Sequence, residues 1–232
     1  FFSARIFLYF TKSIITRIIR CVNQLQFRGG IMKFPLEQNL SYRIPALAVL
    51  ILFYCIYFVK MYIQKRHGIK THQIGTRKEK KLHTVETLMS IATVGVVIAQ
   101  LFSIIYDCNY MPSGARFTGF LIGILGDVIF LVSVVTMKDS WRAGIPEHDK
   151  TKLVTDGIYA FSRNPAFLGF DFMYAGVLLM YFNPINAVFS LFAAVMLHFQ
   201  ILEEEKYMHE TFGERYDEYK SRVFRYLGCH KN

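Results

Sequence analysis

Five apolar runs, separated by connectors whose basic content alternates between low and high, leave this chain few folds to choose from. The runs are Ile44 to Ile63, Val85 to Tyr106, Phe117 to Met137, Ala166 to Phe182 and Ile185 to Leu202. Each approaches the roughly 20 residues a helix needs to cross about 30 Å of hydrocarbon, a medium in which the backbone must satisfy its own hydrogen bonds. The expected fold is an all-α integral membrane protein with about five transmembrane helices. Lysine and arginine number two from Met32 to Arg43, eight from Lys60 to Lys81, one from Asp107 to Arg116, five from Lys138 to Arg163, none in Asn183-Pro184, and six from Glu203 onward. Positive charge collects on the cytoplasmic side, so this alternation predicts an outside N-terminus and a cytoplasmic C-terminus. The apolar share of 53%, with 16% aromatic, exceeds that of an ordinary soluble domain. No nucleic-acid partner is expected.

Residues Phe1 to Ile31 carry five basic residues and no acid, and Met32 follows them. Arg28-Gly29-Gly30 can be encoded by AGAGGAGGN, which contains a bacterial ribosome-binding sequence. Residues 1–31 are therefore expected to be upstream sequence, or else a basic leader lying on anionic lipid. The remainder divides into an N-terminal three-helix membrane region, 32–137, and a core, 138–232. The localisation implied is a bacterial cytoplasmic membrane, with the active site facing the cytoplasm.

The cysteines sit far apart without a CxxC pair, so their spacing signals neither a zinc site nor a disulfide framework, and no metal is expected. Gly119, Gly123 and Gly126 mark one face of the third run, most simply a close helix contact. Asp127, Asp171, Gln100, His198 and Gln200 are polar groups at membrane depth, where interhelical hydrogen bonding or function is the usual reason. The single Trp141 reads as an interfacial anchor. Beyond Leu202, Tyr207, Met208, Phe212, Tyr216, Tyr219, Val223 and Tyr226 recur at helical spacing, predicting an amphipathic C-terminal helix interrupted near Gly213.

The most punctuated stretch is the polar connector from Lys152 to Gly169. Gly157 and Pro165 shape its backbone, Arg163 offers a planar fork of donors, and Tyr159, Phe161 and Phe167 supply flat faces. Such a composition suits an anionic, partly aromatic small molecule. Its expected counterpart is Glu203-Glu204-Glu205, which follows the last run. Only one of Glu204 and Glu205 can face a pocket, because successive helical residues point about 100° apart. Glu204 is expected to face the pocket, and the other is expected in solvent or against Arg163 or Arg225.

The elements Gly157-Ile158-Tyr159, Arg163-Asn164-Pro165-Ala166-Phe167-Leu168-Gly169, Glu204-Glu205, Phe212-Gly213, Tyr216, Tyr219 and Arg225 together resemble a membrane-embedded methyltransferase family. That family includes isoprenylcysteine carboxyl methyltransferases and bacterial phospholipid methyltransferases. The resemblance covers about residues 138–227. It implies S-adenosylmethionine as methyl donor, with Arg163, Asn164 and Tyr159 at the reacting end. It also implies Gly157, Tyr159, Arg163, Asn164, Pro165, Phe167, Gly169, Glu204 and Glu205 around the cofactor. Asn164 stands where many members carry histidine, so it keeps a hydrogen bond but no acid–base chemistry. The acceptor implied is a membrane lipid or hydrophobic small molecule, with a carboxylate or an amine as the reacting group. A sterol-reductase-like enzyme using NADPH and a non-enzymatic lipid-binding membrane protein are the alternatives. The sequence says nothing of oligomeric state.

Overall fold

The computed structural model describes residues 27–28, 31–32, 40–69, 71–74, 80–145 and 152–228. Among these described residues lie six α-helices: α1 Leu40–Arg66, α2 Lys80–Ile105, α3 Ser113–Met137, α4 Pro165–Met180, α5 Pro184–Phe212 and α6 Glu214–Arg222. Two 3₁₀ turns, Lys138–Ser140 and Gly157–Ala160, shape the connector between α3 and α4. Phe27–Arg28 pairs antiparallel with Ile31–Met32, and the rest of the expected leader lies outside the described residues.

The protein is an all-α integral membrane protein, and α1, α2, α3 and α5 are long and apolar enough to cross a bilayer. The fourth expected span, Ala166 to Phe182, is shorter than the others. Helix α4 holds 16 residues, about 24 Å of rise against the roughly 30 Å of a hydrocarbon core. Pro165 sets its start, since proline fits the first helical turn, and α4 ends at Met180. Asn183 then caps α5 by accepting a hydrogen bond from the Asn186 backbone N–H, with Pro184 beginning the helix. The Asn183 amide also donates to Ser103 Oγ at 2.8 Å and to the Cys108 carbonyl at 3.0 Å, locking the hairpin tip onto the end of α2.

Helices α3 and α4 make the tightest contact because glycines line both sides. A Cβ on Gly119 would lie 2.6 Å from the Gly176 carbonyl oxygen, and one on Gly126 would lie 2.5 Å from the Met173 nitrogen. The glycine face on α3 is thus a helix-packing surface, as its spacing predicts. Helix α1 packs across this pair through Phe53, whose ring stacks on Phe130 at 4.4 Å and meets Phe170 edge-on at 4.6 Å. Ile51, Ile98, Val135 and Leu191 point outward as the lipid-facing surface.

The connectors sort into two ends. At one end, Gln64 Nε2 donates to the Trp141 carbonyl at 2.9 Å, the Gln73 N–H donates to the Ala143 carbonyl, and Lys81 pairs with Glu203 at 2.8 Å. At the other, Tyr42 Oη donates to the Ser113 carbonyl and the Tyr110 N–H to the Phe182 carbonyl. The basic-rich connectors therefore share one end. Trp141 corrects the interfacial reading: it is only 5% exposed and packs edge-on against Tyr57 and Phe130. Cys108 is disulfide-bonded, which its spacing did not signal, and Cys55 is free. Helix α5 ends at Gly213, whose φ of +53° favours glycine, and α6 then turns back. Helix α6 is amphipathic: Tyr216, Tyr219 and Val223 pack on Leu153, Met208 and Phe212.

Candidate functional site

The connector Lys152 to Gly169 folds beside the C-terminal end of α5 because the segment after α6 straps it down. The Arg163 N–H donates to the Phe224 carbonyl at 3.1 Å, and the Gly228 N–H donates to the Phe161 carbonyl at 2.8 Å. Gly157 turns the chain with a φ of +59°, and a side chain there would press on the Thr136 methyl. Tyr159 is buried, and its carbonyl accepts from Tyr219 Oη at 2.6 Å, so the C-terminal helix holds the turn in place. Burial pushes the Tyr159, Tyr216 and Tyr219 hydroxyls well above the ordinary tyrosine range, keeping all three as neutral O–H groups.

At the centre of this corner is Glu205, 8% exposed. Arg225 grips it in a bidentate pair, Nε to Oε1 at 3.0 Å and Nη2 to Oε2 at 2.9 Å. Arg163 Nη2 reaches Oε1 at 3.0 Å, and Asn164 Nδ2 donates to the same oxygen at 3.3 Å. Asn164 also donates to the Arg225 carbonyl at 3.2 Å, so its amide knits three segments together. The carboxylate's hydrogen bond raises the Arg225 pKa, holding the guanidinium firmly charged. Arg163 Nε and Nη1 are buried and meet no acceptor among the described residues. Two buried cationic donors without partners are costly in a protein alone, and they suit an anionic ligand.

Glu204 faces the other way. It lines a cavity of about 410 Å³ between α1, α2 and α5, together with Ala166, Phe167 and Gln200. Gln200 Nε2 donates to Glu204 Oε1 at 3.2 Å. The structure thus separates the two acids, one holding arginines and one facing a cavity. Tyr159, Arg163, Asn164 and Glu205 come together in the charged corner. Pro165 begins α4 there, and Phe167 turns to the cavity. Gly169 does neither: a Cβ on it would lie 2.8 Å from Phe130 Cβ, within the α3–α4 contact. Asp171 and His198 do not line the cavity; the His198 ring is hydrogen-bonded to the Tyr226 hydroxyl. Among the described residues no cluster of three or more metal-ligating side chains occurs.

The cavity walls were missed from sequence. Tyr54, Tyr57 and Phe58 of α1, Met89, Val94 and Ile98 of α2, and Trp141 enclose it. The one visible signal was the aromatic run Phe53-Tyr54 and Tyr57-Phe58, whose four-residue repeat places aromatics along the helix.

Comparison with known proteins gives this corner a context. The family model of the isoprenylcysteine carboxyl methyltransferase (ICMT) family matches residues 119–210. "Probable protein-S-isoprenylcysteine O-methyltransferase" of Oryza sativa subsp. indica is 34% identical over 112 residues, covering 46% of this chain and 58% of that protein. Protein-S-isoprenylcysteine O-methyltransferase B of Arabidopsis thaliana is 34% identical over 110 residues, covering 45% and 55%. The Saccharomyces cerevisiae protein-S-isoprenylcysteine O-methyltransferase is also 34% identical over 110 residues, covering 45% of each. The match spans about half the length of these curated relatives. Over residues 119–210, from α3 to α5, the chain is therefore isoprenylcysteine carboxyl methyltransferase-like, and the family match begins after α1 and α2.

Proposed function

We propose that this protein is a membrane methyltransferase that moves a methyl group from S-adenosylmethionine to a lipid-like acceptor. The observation that carries the reading is Arg163. Its buried Nε and Nη1 lack acceptors among the described residues, and the carboxylate of an amino-acid-derived cofactor would satisfy them. Glu205, itself held by Arg225 and Asn164, fixes one edge of that guanidinium. Tyr159 and the strap from Val223 to Gly228 close the corner behind it. When bound, the cofactor supplies an activated methyl on sulfur, so the protein's work is alignment and exclusion of water, for which a buried corner beside an apolar cavity is suited. We place this cofactor core in 138–232, with α3 as its buttress.

S-adenosylhomocysteine is expected to bind the purified protein in isothermal calorimetry, and NADPH is not. Binding of NADPH alone would replace this reading with a sterol-reductase-like one. Arg163→Lys keeps the charge but loses the planar fork, so cofactor affinity is expected to fall about ten-fold or more. An unchanged dissociation constant in that variant would reduce Arg163 to a structural ion pair with Glu205.

The end that carries the basic connectors and the charged corner is proposed to face the cytoplasm, on the charge alternation. A bacterial cytoplasmic membrane is the finer assignment, resting on the coding argument at Arg28-Gly29-Gly30, while the relatives above are eukaryotic. A cysteine placed at Ser113 should label from outside intact cells, and one at His67 should not. The reverse pattern would invert the protein in the membrane.

A further inference from the structure

We propose that the cavity lined by Glu204 takes a lipophilic amine and that this amine is the methyl acceptor, an inference that rests on the methyltransferase reading above. The cavity's polar end carries the argument. Gln200 is 1% exposed, its Nε2 is spent on Glu204, and its Oε1 meets no donor among the described residues. That end therefore offers an unpartnered carbonyl oxygen beside a carboxylate. The cavity's cation, Arg142, directs Nη1 at the carbonyls of Asp139 and Trp141, and the Thr93 hydroxyl is spent on the Met89 carbonyl. What fits there is a group that donates several hydrogen bonds and carries positive charge. An ammonium has three donors and no acceptor. A carboxylate would meet Gln200 Oε1 without a proton to give.

The walls fit the rest of such a molecule. Tyr54, Tyr57, Trp141, Phe167 and Phe170 give aromatic faces that stabilise a nearby cation. Phe58, Val94 and Ile98 line the cavity while remaining well exposed on the lipid side of α1 and α2, which gives an alkyl or isoprenoid tail a way in from the bilayer. The α1 and α2 walls precede residue 119, where the family match begins, while Trp141, Phe167, Gln200 and Glu204 lie within it. In the transfer, the ammonium loses one proton to Glu204 and its nitrogen lone pair forms the new C–N bond. The C–S bond of the methyl donor breaks, its electron pair stays on sulfur as a neutral thioether, and Glu204 returns the proton to solvent.

Trp141 is the chain's single tryptophan and lines the cavity, so its fluorescence reports occupancy. Titration of detergent-solubilised protein with hexadecylamine, hexadecanol and palmitate is expected to show the amine binding at least ten-fold more tightly than the other two. Glu204→Gln and, separately, Gln200→Met should remove that preference while S-adenosylhomocysteine binding, measured by calorimetry, stays within about two-fold. Tighter binding of palmitate, or an amine preference that survives Glu204→Gln, overturns the proposal. So does Glu204→Gln weakening S-adenosylhomocysteine instead of the amine, because Glu204 would then serve the cofactor's own ammonium. Amine binding with no S-adenosylhomocysteine binding leaves the amine site standing and removes the methyltransferase reading.

Discussion

Glu205→Ala is expected to be among the most damaging single changes in this protein. It strands the buried Arg163 and the half-buried Arg225 with no counter-charge at the centre of the corner, and it removes one of the hydrogen bonds from Asn164. Deleting one partner of a buried ion pair costs about 3–5 kcal/mol, because the charge left behind has lost its water and gained nothing. For a chain of this length, that corresponds to a fall on the order of 10 °C in unfolding temperature. Glu203→Gln provides the contrast. Its partner Lys81 has a largely exposed ammonium, and such pairs contribute less than about 1 kcal/mol. Both variants can be followed by thermal unfolding in one detergent. Equal, small shifts would mean that Glu205 is not the keystone of the corner.

The second large effect belongs to the α3–α4 contact. A methyl added at Gly176 would fall on the Gly123 backbone nitrogen, and the next nearest atoms are also backbone. Backbone cannot step aside as a side-chain end can, so the two helices must separate along their length. Overpacking a core commonly costs about 1–3 kcal/mol, and Gly176→Leu should reach about 3 kcal/mol or more because the whole seam opens. Gly114→Ala, on α3 but with nothing within 4 Å of its added methyl, should cost about 0.5 kcal/mol or less. Folded yield and detergent unfolding of the two variants decide the matter. If Gly176→Leu behaves like Gly114→Ala, the close approach of the helices is not what holds α3 to α4.

These two effects were unequally visible in the sequence. Gly119, Gly123 and Gly126 announce a close contact by spacing alone, because three- and four-residue steps return to one helical face. Their partners did not announce themselves: Gly169 sits inside the motif stretch that resembles a cofactor site, yet its α-carbon faces Phe130. Glu204 and Glu205 show the same limit. Their 100° separation guarantees two different environments, but only the packing of α5 against α2 and the strap after α6 decides that Glu205 meets the arginines and Glu204 the cavity.

What the chain's residues determine by themselves is local and long-lived: apolar runs long enough for a bilayer, connectors sorted by charge, a proline start and a glycine end for helices, and a charged stretch at the core. Hydropathy and punctuation act on each segment separately, so they can be read in order. What tertiary structure alone decides is rotation. In a soluble protein an apolar stripe would mark the inward face, but here lipid is as apolar as the interior, and the helices carry no such mark. Trp141 therefore turns inward where an interfacial anchor was expected, and α1 and α2 close a cavity no motif foretold. Contacts between segments distant in sequence set those faces, through glycine seams, the Glu205 arginine pairs and the Gln64 bond to Trp141.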